Sequence, residues 1–177
     1  MNGEPKAEAS LDITVEKGRG VRYNLGCGAD HREGFTNVDL PGCPGADLYF
    51  DLRGDWTFAP DGTAGFVFSS NLFEHLPDKF HTMNELYRIM APGARAELHI
   101  PSTDGRGAWQ DPTHVSYWNK NSWRYWCSNR DAGLTLMNQA NGFKGDFRLV
   151  ELGDYVIDEQ IVMTRVIIEK GEDTNGR

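Results

Sequence analysis

Apolar residues in this chain occur in short runs separated by glycine, proline and polar residues. Runs of β-branched, aromatic and aliphatic residues bounded by such turns are typical of strands. The pattern predicts strands over residues 21–25, 35–40, 46–52, 65–70, 94–100, 147–152 and 155–170. The run at 65–70, GFVFSS, is apolar without strict alternation, which favours a strand buried on both faces at the centre of a parallel sheet.

One amphipathic helix is predicted after residue 78. Its apolar residues recur at spacings of three and four, namely Phe80, Met83, Leu86, Tyr87 and Met90. Asp78 can cap the start of this helix, and Pro92-Gly93 ends it. A second, short helix is predicted over residues 134–139, before the stop at Asn141-Gly142.

The stretch 21–39, VRYNLGCGADHREGFTNVD, places two glycines directly after the first predicted strand and an acid at the end of the second. Gly26 and Gly28 lack a Cβ, so the backbone can turn sharply and approach a ligand. Asp39 ends a strand where α/β folds bind ribose hydroxyls. The stretch indicates a nucleoside cofactor, although Gly-x-Gly alone is also compatible with a plain tight turn.

The connection between the first two predicted strands is short. Only about six residues separate Ala29 from Phe35, too few for the crossover helix of a βαβ unit. The first helix is therefore predicted to be a single turn or absent.

These segments resemble the class I S-adenosylmethionine-dependent methyltransferases, and within them the small methyltransferase type 11 group. The family's acid-x-Gly-x-Gly-x-Gly appears as NLGCGAD at 24–30, with Asn24 replacing the acid and Asp30 replacing the third glycine. The phrases SNLFEHLPD at 70–78 and ELYRIMAPGA at 85–94 are similar to two further family phrases. The resemblance implies a Rossmann-like α/β fold with a mostly parallel seven-stranded sheet, an antiparallel strand inserted between the fifth and sixth, and a reduced first helix.

The same resemblance implies S-adenosyl-L-methionine as the cofactor. Asp39 would accept both ribose hydroxyls, and Asp51 would either bind the adenine amino group or simply cap the turn into Arg53. Cys27 is expected to fill the glycine turn as a small residue rather than act as a nucleophile. The residues expected to bind the cofactor are Asn24, Gly26, Cys27, Gly28, Asp39, Asp51, Leu52, Ser70, Asn71 and Leu72, of which the last three would lie closest to the methyl group.

Residues 102–130 depart from the family pattern and are rich in aromatic and basic side chains. Four of the five tryptophans fall here: Trp109, Trp118, Trp123 and Trp126. At the carboxyl edge of a parallel sheet, such an insertion is predicted to form a lid and substrate pocket. Aromatic clusters are also typical of cores, so the tryptophans could belong to the core instead.

The insertion contains the sequence DPTHV at 111–115, an element that also resembles one of small methyltransferases. His114 is the candidate general base, with Asp111 as its orienting partner. Two other roles for His114 stay open: it could bind a backbone carbonyl and order the loop, or bind a metal. No metal site is expected, and His75 is assigned a structural role.

Composition restricts the partners. The formal net charge of −8 repels polyanions, so a small-molecule or nucleotide acceptor is expected and duplex nucleic acid is not. The three cysteines lack metal-ligand spacing and are expected to be reduced thiols. No apolar run approaches about 18 residues and no signal-like segment opens the chain, so no membrane contact and a cytoplasmic location are expected.

One methyltransferase-like domain is predicted over residues 19–170, with a flexible arm at 1–18 and a disordered tail at 171–177; the oligomeric state is left open. The predicted activity is in-line methyl transfer from S-adenosylmethionine. The alternative is a non-catalytic cofactor-binding or interaction protein, because the altered glycine motif could reflect lost activity. A nicotinamide or flavin dehydrogenase is disfavoured, since His31 occupies the place of a glycine and Asp39 follows Gly28 too closely.

Overall fold

Seven strands form one mixed sheet in the computed structural model, which describes residues 20–171. The strands are β1 (Val21–Leu25), β2 (Thr36–Asp39), β3 (Leu48–Tyr49), β4 (Ala64–Ser70), β5 (Met90–Pro101), β6 (Phe147–Asp158) and β7 (Ile161–Lys170). Their order is β3-β2-β1-β4-β5-β7-β6, with β1 to β5 parallel and β7 antiparallel to both of its neighbours. The predicted fold class is confirmed, including the strand inserted between the fifth and sixth. The predicted arm and all of the predicted tail except Gly171 lie outside the described residues.

The helices lie between residues 79 and 140. They are α1 (Lys79–Ile89), α2 (Gly107–Gln110) and α3 (Ser128–Ala140), with 3-10 turns at Phe73–His75 and Lys120–Tyr125. Residues 26–35, between β1 and β2, contain turns but no helix, which confirms the reduced first helix. Within residues 20–171, no helix combines the length and apolar character needed to cross a membrane.

The predicted helix after residue 78 is α1. The Asp78 side chain accepts a hydrogen bond from the His81 amide at 2.9 Å and so caps its first turn. The helix ends at Ile89, and β5 begins at Met90, before Pro92-Gly93.

Several predicted boundaries were wrong: β5 begins at Met90 rather than 94, and β6 ends at Asp158 rather than 152. Three further shifts follow from local structure. β3 is reduced from 46–52 to two residues, because the Asp47 carboxylate instead accepts the Asn37 amide at 3.0 Å. β7 begins at Ile161 rather than 155, because Asp158 Oδ1 accepts the amides of Gln160 and Ile161 and forms the turn there. α3 begins at Ser128 rather than 134, and a kink at Asp131 interrupts it before the predicted start.

The core lies between one face of the sheet and the helices. It contains strand residues such as Leu25, Val67 and Leu98, together with the α1 residues Met83, Leu86 and Ile89 and the tryptophans Trp118, Trp123 and Trp126. Trp109 is different, with 60% of its surface exposed. Three of the four tryptophans in the expected lid are therefore core residues, and they tie residues 102–130 to the sheet.

The opposite face of the sheet is largely charged along β5, β6 and β7. Glu169 accepts hydrogen bonds from Arg95 Nε at 2.9 Å and from Arg148 Nη2 at 2.8 Å. Glu97 accepts one from Arg165 Nε at 2.7 Å. These ion pairs are half-exposed, so they suit a sheet face that water reaches.

Side-chain hydrogen bonds hold the connection between β1 and β2. Asn37 is fully buried, and its Oδ1 accepts from Asn24 Nδ2 and the Arg32 amide, each at 2.9 Å. Its Nδ2 donates to Asp47 Oδ2 at 2.7 Å and to the Arg32 carbonyl at 3.1 Å. Asn24 Nδ2 also donates to the Asp30 carbonyl at 2.7 Å. Two asparagines thus satisfy the backbone groups that a helix would otherwise satisfy.

Replacing Asn37 by alanine should destabilise the protein. The Asn37→Ala change leaves several buried donors and acceptors without partners, which costs about 2–4 kcal/mol of the free energy of unfolding. Urea denaturation followed by circular dichroism measures this loss. The control is Asn121→Ala at an exposed position, which should cost no more than about 0.5 kcal/mol. Equal losses in the two variants would contradict the role given to Asn37.

Candidate functional site

A cavity of about 360 Å³ opens at the carboxyl ends of the parallel strands, the edge at which open α/β sheets bind ligands. It is lined by Asp39, Leu40, Phe50, Asp51, Leu52, Arg53, Leu72, His75, Leu76 and Thr113. Four residues expected to bind the cofactor, Asp39, Asp51, Leu52 and Leu72, are therefore brought together. A second cavity of about 480 Å³ includes Gly20 and Gly65 at the opposite ends of the strands.

The glycine turn packs directly beside this cavity. Gly26 has a φ of +68° and Gly28 a φ of +54°, which favour glycine at both positions. A Cβ on Gly26 would lie 2.8 Å from the Leu72 Cβ, so this glycine permits close packing on a cavity-lining residue. A Cβ on Gly28 would meet nothing within 4 Å, so the space beside Gly28 is open.

The Asp39 carboxylate connects the glycine turn to the end of β2. Its Oδ2 accepts the Gly28 amide at 2.6 Å, and its Oδ1 accepts the Leu40 amide at 2.7 Å. The Cys43 thiol also hydrogen-bonds Asp39, which raises the pKa of that thiol. A carboxylate offers about four acceptor positions. Two ribose hydroxyls therefore fit only if the weakly donating Cys43 thiol gives way.

Asp51 is held by its neighbour Arg53. Arg53 donates from Nη2 to Oδ2 at 2.6 Å and from Nε to Oδ1 at 2.8 Å, and its backbone amide donates to Oδ1 at 3.0 Å. These hydrogen bonds lower the pKa of Asp51 to about 2, so the side chain stays ionised. Asp51 both caps the turn and lines the cavity, so the geometry accommodates both roles considered for it.

Two expected cofactor residues are buried behind the turn. Asn24 is 1% exposed, and its amide nitrogen is taken up by Asp30 and Asn37. Cys27 is also buried, and burial, with a smaller contribution from the Asp39 charge, raises the pKa of its thiol to about 11. Both residues lie where they shape the turn, away from the cavity lining.

Ser70 and Asn71 direct the chain from β4 into Leu72. Asn71 has a φ of +53°, in the left-handed region that few residues other than glycine adopt. Its amide donates to the His99 carbonyl at 3.0 Å, and its Nδ2 donates to Ser70 Oγ at 3.2 Å. This bend at the end of β4 sets the position of Leu72 against Gly26.

Asp111 and His114, the expected catalytic pair, lie close together. Asp111 Oδ2 is 3.8 Å from His114 Nε2, beyond hydrogen-bonding distance. His114 Nδ1 is 3.1 Å from the Ala108 carbonyl, the type of bond that would order the loop. The His114 side chain is 6% exposed and does not line the cavity. Its ring packs against the ring of His75, with the centroids 4.9 Å apart, and His75 does line the cavity.

The sequence interpretation missed Glu74. Its side chain is 2% exposed, and its Oε1 lies 4.0 Å from His114 Nε2. Neither carboxylate oxygen has a hydrogen-bond partner among the described residues. Burial, reinforced by the Asp111 charge, raises the pKa of Glu74 to about 7. The Glu-His pair in the phrase at 70–78 was a signal, but it was interpreted only as a mark of the fold.

The Glu74 backbone joins this turn to the DPTHV segment. Its carbonyl accepts the amides of Val115 at 2.8 Å and Ser116 at 3.0 Å. Phe73 packs beside it, edge to face, on Trp118 at 6.2 Å. Residues 73–75 and 111–116 therefore form one fixed unit beside the cavity.

Several solved structures with a similar fold are methyltransferases. The chain aligns with a putative methyltransferase from Bacillus halodurans at 14% identity and a TM-score of 0.59, over 91% of this chain and 96% of that one. A SAM-dependent methyltransferase from Archaeoglobus fulgidus aligns at 16% identity and a TM-score of 0.55, over 87% of each chain. A third match is a chain from the complex of the Haloferax volcanii Trm112 methyltransferase activator with a putative methyltransferase. It aligns at 16% identity and a TM-score of 0.55, over 86% of this chain and 83% of that one.

No protein-family model and no curated protein matches the chain. At these identities, the solved structures show that the chain has the class I methyltransferase fold. This confirms the resemblance at the level of the fold.

The three thiols should differ in reactivity. Cys27 and Cys127 are buried, and burial raises their pKa values to about 11 and about 12, so at pH 8 almost no thiolate is present. Cys43 is partly exposed. Iodoacetamide should therefore modify Cys43 first, with Cys27 and Cys127 reacting only after unfolding, as peptide mass spectrometry can measure. Rapid alkylation of Cys27 in the folded protein would contradict its burial.

Proposed function

We propose that this chain is an S-adenosylmethionine-dependent methyltransferase acting on a small-molecule or nucleotide acceptor. Its fold is that of class I methyltransferases, and solved structures with this fold include SAM-dependent enzymes. The observation that carries the proposal is the cavity at the carboxyl ends of β1 to β4, which adjoins the open space at Gly28 and includes the Asp39 carboxylate.

The residues of the cavity fit an adenosyl group. Leu40, Leu52 and Leu72 supply apolar surface for a purine ring. The carboxylates of Asp39 and Asp51 offer acceptor oxygens near the same surface, and they suit hydroxyl and amino donors. An apolar lining with a few convergent polar groups is typical of a small-molecule site.

The methionine part of the cofactor is proposed to be bound without Asn24. The amide nitrogen of Asn24 is already used inside the turn. The backbone around Gly28 and the side chains of Ser70 and Asn71 are proposed to take its place. The departure of Asn24 from the family acid thus corresponds to a structural role in the loop.

S-adenosylmethionine, when bound, supplies a methyl group already activated by its sulfonium. The task proposed for this chain is to align the acceptor and exclude water, and such positioning can contribute about 7–11 kcal/mol. His75 and Thr113 line the cavity together with the adenosyl-binding residues, so an acceptor is proposed to meet them. The base role of His114 stays a prediction, since its side chain is buried and contacts the cavity through His75.

Gly28→Ala should weaken cofactor binding, and Gly34→Ala is its matched control. Both glycines have positive φ, +54° and +76°, and open space for a Cβ, so both changes should cost about 1–2 kcal/mol of stability. Only the Gly28 methyl enters the proposed site. Calorimetric titration with S-adenosylmethionine and S-adenosylhomocysteine should show at least tenfold weaker binding for Gly28→Ala and no change for Gly34→Ala. Equal affinities in both variants would contradict the proposed site.

Turnover is tested separately. The expected result is release of S-adenosylhomocysteine in the presence of one class of acceptor, among hydroxyl, amine, thiol, carbon and nucleotide compounds. Asp39→Ala should lose both binding and turnover, whereas Asp55→Ala, at a largely exposed side chain, should keep both. Cofactor binding without product from any acceptor would favour a non-catalytic binding protein.

A further inference from the structure

Glu74 carries a buried carboxylate whose environment lacks a balancing group. Both of its oxygens are shielded from solvent and accept no hydrogen bond from the described residues. Burying an ionised carboxylate in this way is costly unless a cation or donor faces it. The nearest cationic candidate is His114 Nε2, and the 4.0 Å from it to Glu74 Oε1 is too long for a hydrogen bond.

The Nδ1 atoms of both imidazole rings lie near backbone carbonyls. His114 Nδ1 lies 3.1 Å from the Ala108 carbonyl, and His75 Nδ1 lies 3.3 Å from the Thr113 carbonyl. A carbonyl only accepts, so each Nδ1 carries a proton, and Nε2 is the ring nitrogen left to bind a cation. The Thr113 hydroxyl does not change this, because it donates its own proton to Asp111 Oδ1 at 2.6 Å.

This arrangement is typical of metal-binding histidines. Such histidines donate the other ring N–H to a carbonyl or carboxylate, which fixes the tautomer and the ring orientation. Here both rings are fixed by carbonyls from the same short segment, residues 108–113. The backbone carbonyl of Glu74 in turn accepts the amides of Val115 and Ser116, which directly follow that segment.

We propose that Glu74, His75 and His114 form a binding site for a divalent first-row transition cation of the zinc type. One donor atom from each of the three lies within 4.8 Å of the other two. Bonds of about 2.0–2.2 Å place the ligands of a tetrahedral cation about 3.4 Å apart, so a small contraction of this cluster suffices. Two imidazoles and one carboxylate favour such a cation over magnesium or calcium, which prefer oxygen alone.

Asp111 and the cavity flank the remaining side of the site. Asp111 Oδ2 lies 3.8 Å from His114 Nε2 and is half-exposed. His75 lines the cavity that contains Asp39 and Leu72. Three protein ligands with one accessible position are typical of zinc sites that bind a water or a substrate atom. The site therefore borders the proposed methyl-transfer cavity but does not depend on methyl transfer.

Metal binding is tested on the tag-free full chain after removal of metal with a chelator. Titration with zinc chloride in a calorimeter should give one equivalent bound, and zinc should raise the melting temperature. Cobalt(II) should bind at the same stoichiometry and give a visible absorption band from the mixed nitrogen and oxygen ligands. These readouts need no cofactor or acceptor, so their failure is separable from failure of the proposed function.

Three variants decide which residues bind the cation. Glu74→Gln keeps the size of the side chain and removes its charge. His75→Gln changes a half-buried ligand, so it tests the site even if the buried Glu74 is needed for folding. Each should weaken zinc binding at least tenfold, since loss of even a supporting residue costs about 10–100-fold. His81→Gln is the control, because His81 lies 3.8 Å from Asp55 in a similar pair outside the cluster, and it should leave binding unchanged.

Absence of saturable binding would overturn the proposal, and the cluster would then be a buried glutamate–histidine pair. The same conclusion follows if Glu74→Gln and His75→Gln both bind zinc as tightly as the parent chain. Binding reduced as much by His81→Gln as by Glu74→Gln would likewise place the cation elsewhere.

Discussion

The short connection between β1 and β2 is the constraint on which the rest of the structure depends. β1 ends at Leu25 and β2 begins at Thr36, and the two strands are parallel neighbours. The chain must therefore return along the sheet without a helix to satisfy its backbone groups. Asn37 supplies those partners inside the loop, and Asp39 fastens its glycine turn at Gly28. The same contacts shape the cavity at the carboxyl edge.

The parts of the fold that depend on local pattern could be predicted from the sequence. Strand positions followed from apolar runs, and the missing helix followed from the spacing of Ala29 and Phe35. The turn at Asp158 was missed because it depends on one side chain accepting two amides in an otherwise β-forming run. The kink of α3 at Asp131 similarly depends on a side-chain bond, to the Leu134 amide at 3.1 Å. Propensity alone indicates neither.

The candidate site divides along similar lines. Parallel strands end at one edge of a sheet, so residues that end or directly follow such strands are expected to share a cavity there. The structure brings four of them together in this way: Asp39, Asp51, Leu52 and Leu72. Burial was the property that sequence could not supply. It placed Trp118 and Trp123 in the core and left Glu74 beside His114 without a donor. Sequence distance hides that last pairing, since the two residues are forty positions apart.

The loop that stands in place of the first helix is held differently from a packed helix. An amphipathic helix in this position would be fastened by buried apolar contacts, and moving it would disturb the core. Residues 26–35 are instead fastened mainly by the amide groups of Asn24 and Asn37 and by the Asp39 carboxylate. These contacts are few, and they join the segment to the ends of β1 and β2 rather than to the apolar core. Local opening of this segment therefore breaks fewer apolar contacts than displacing a packed helix would.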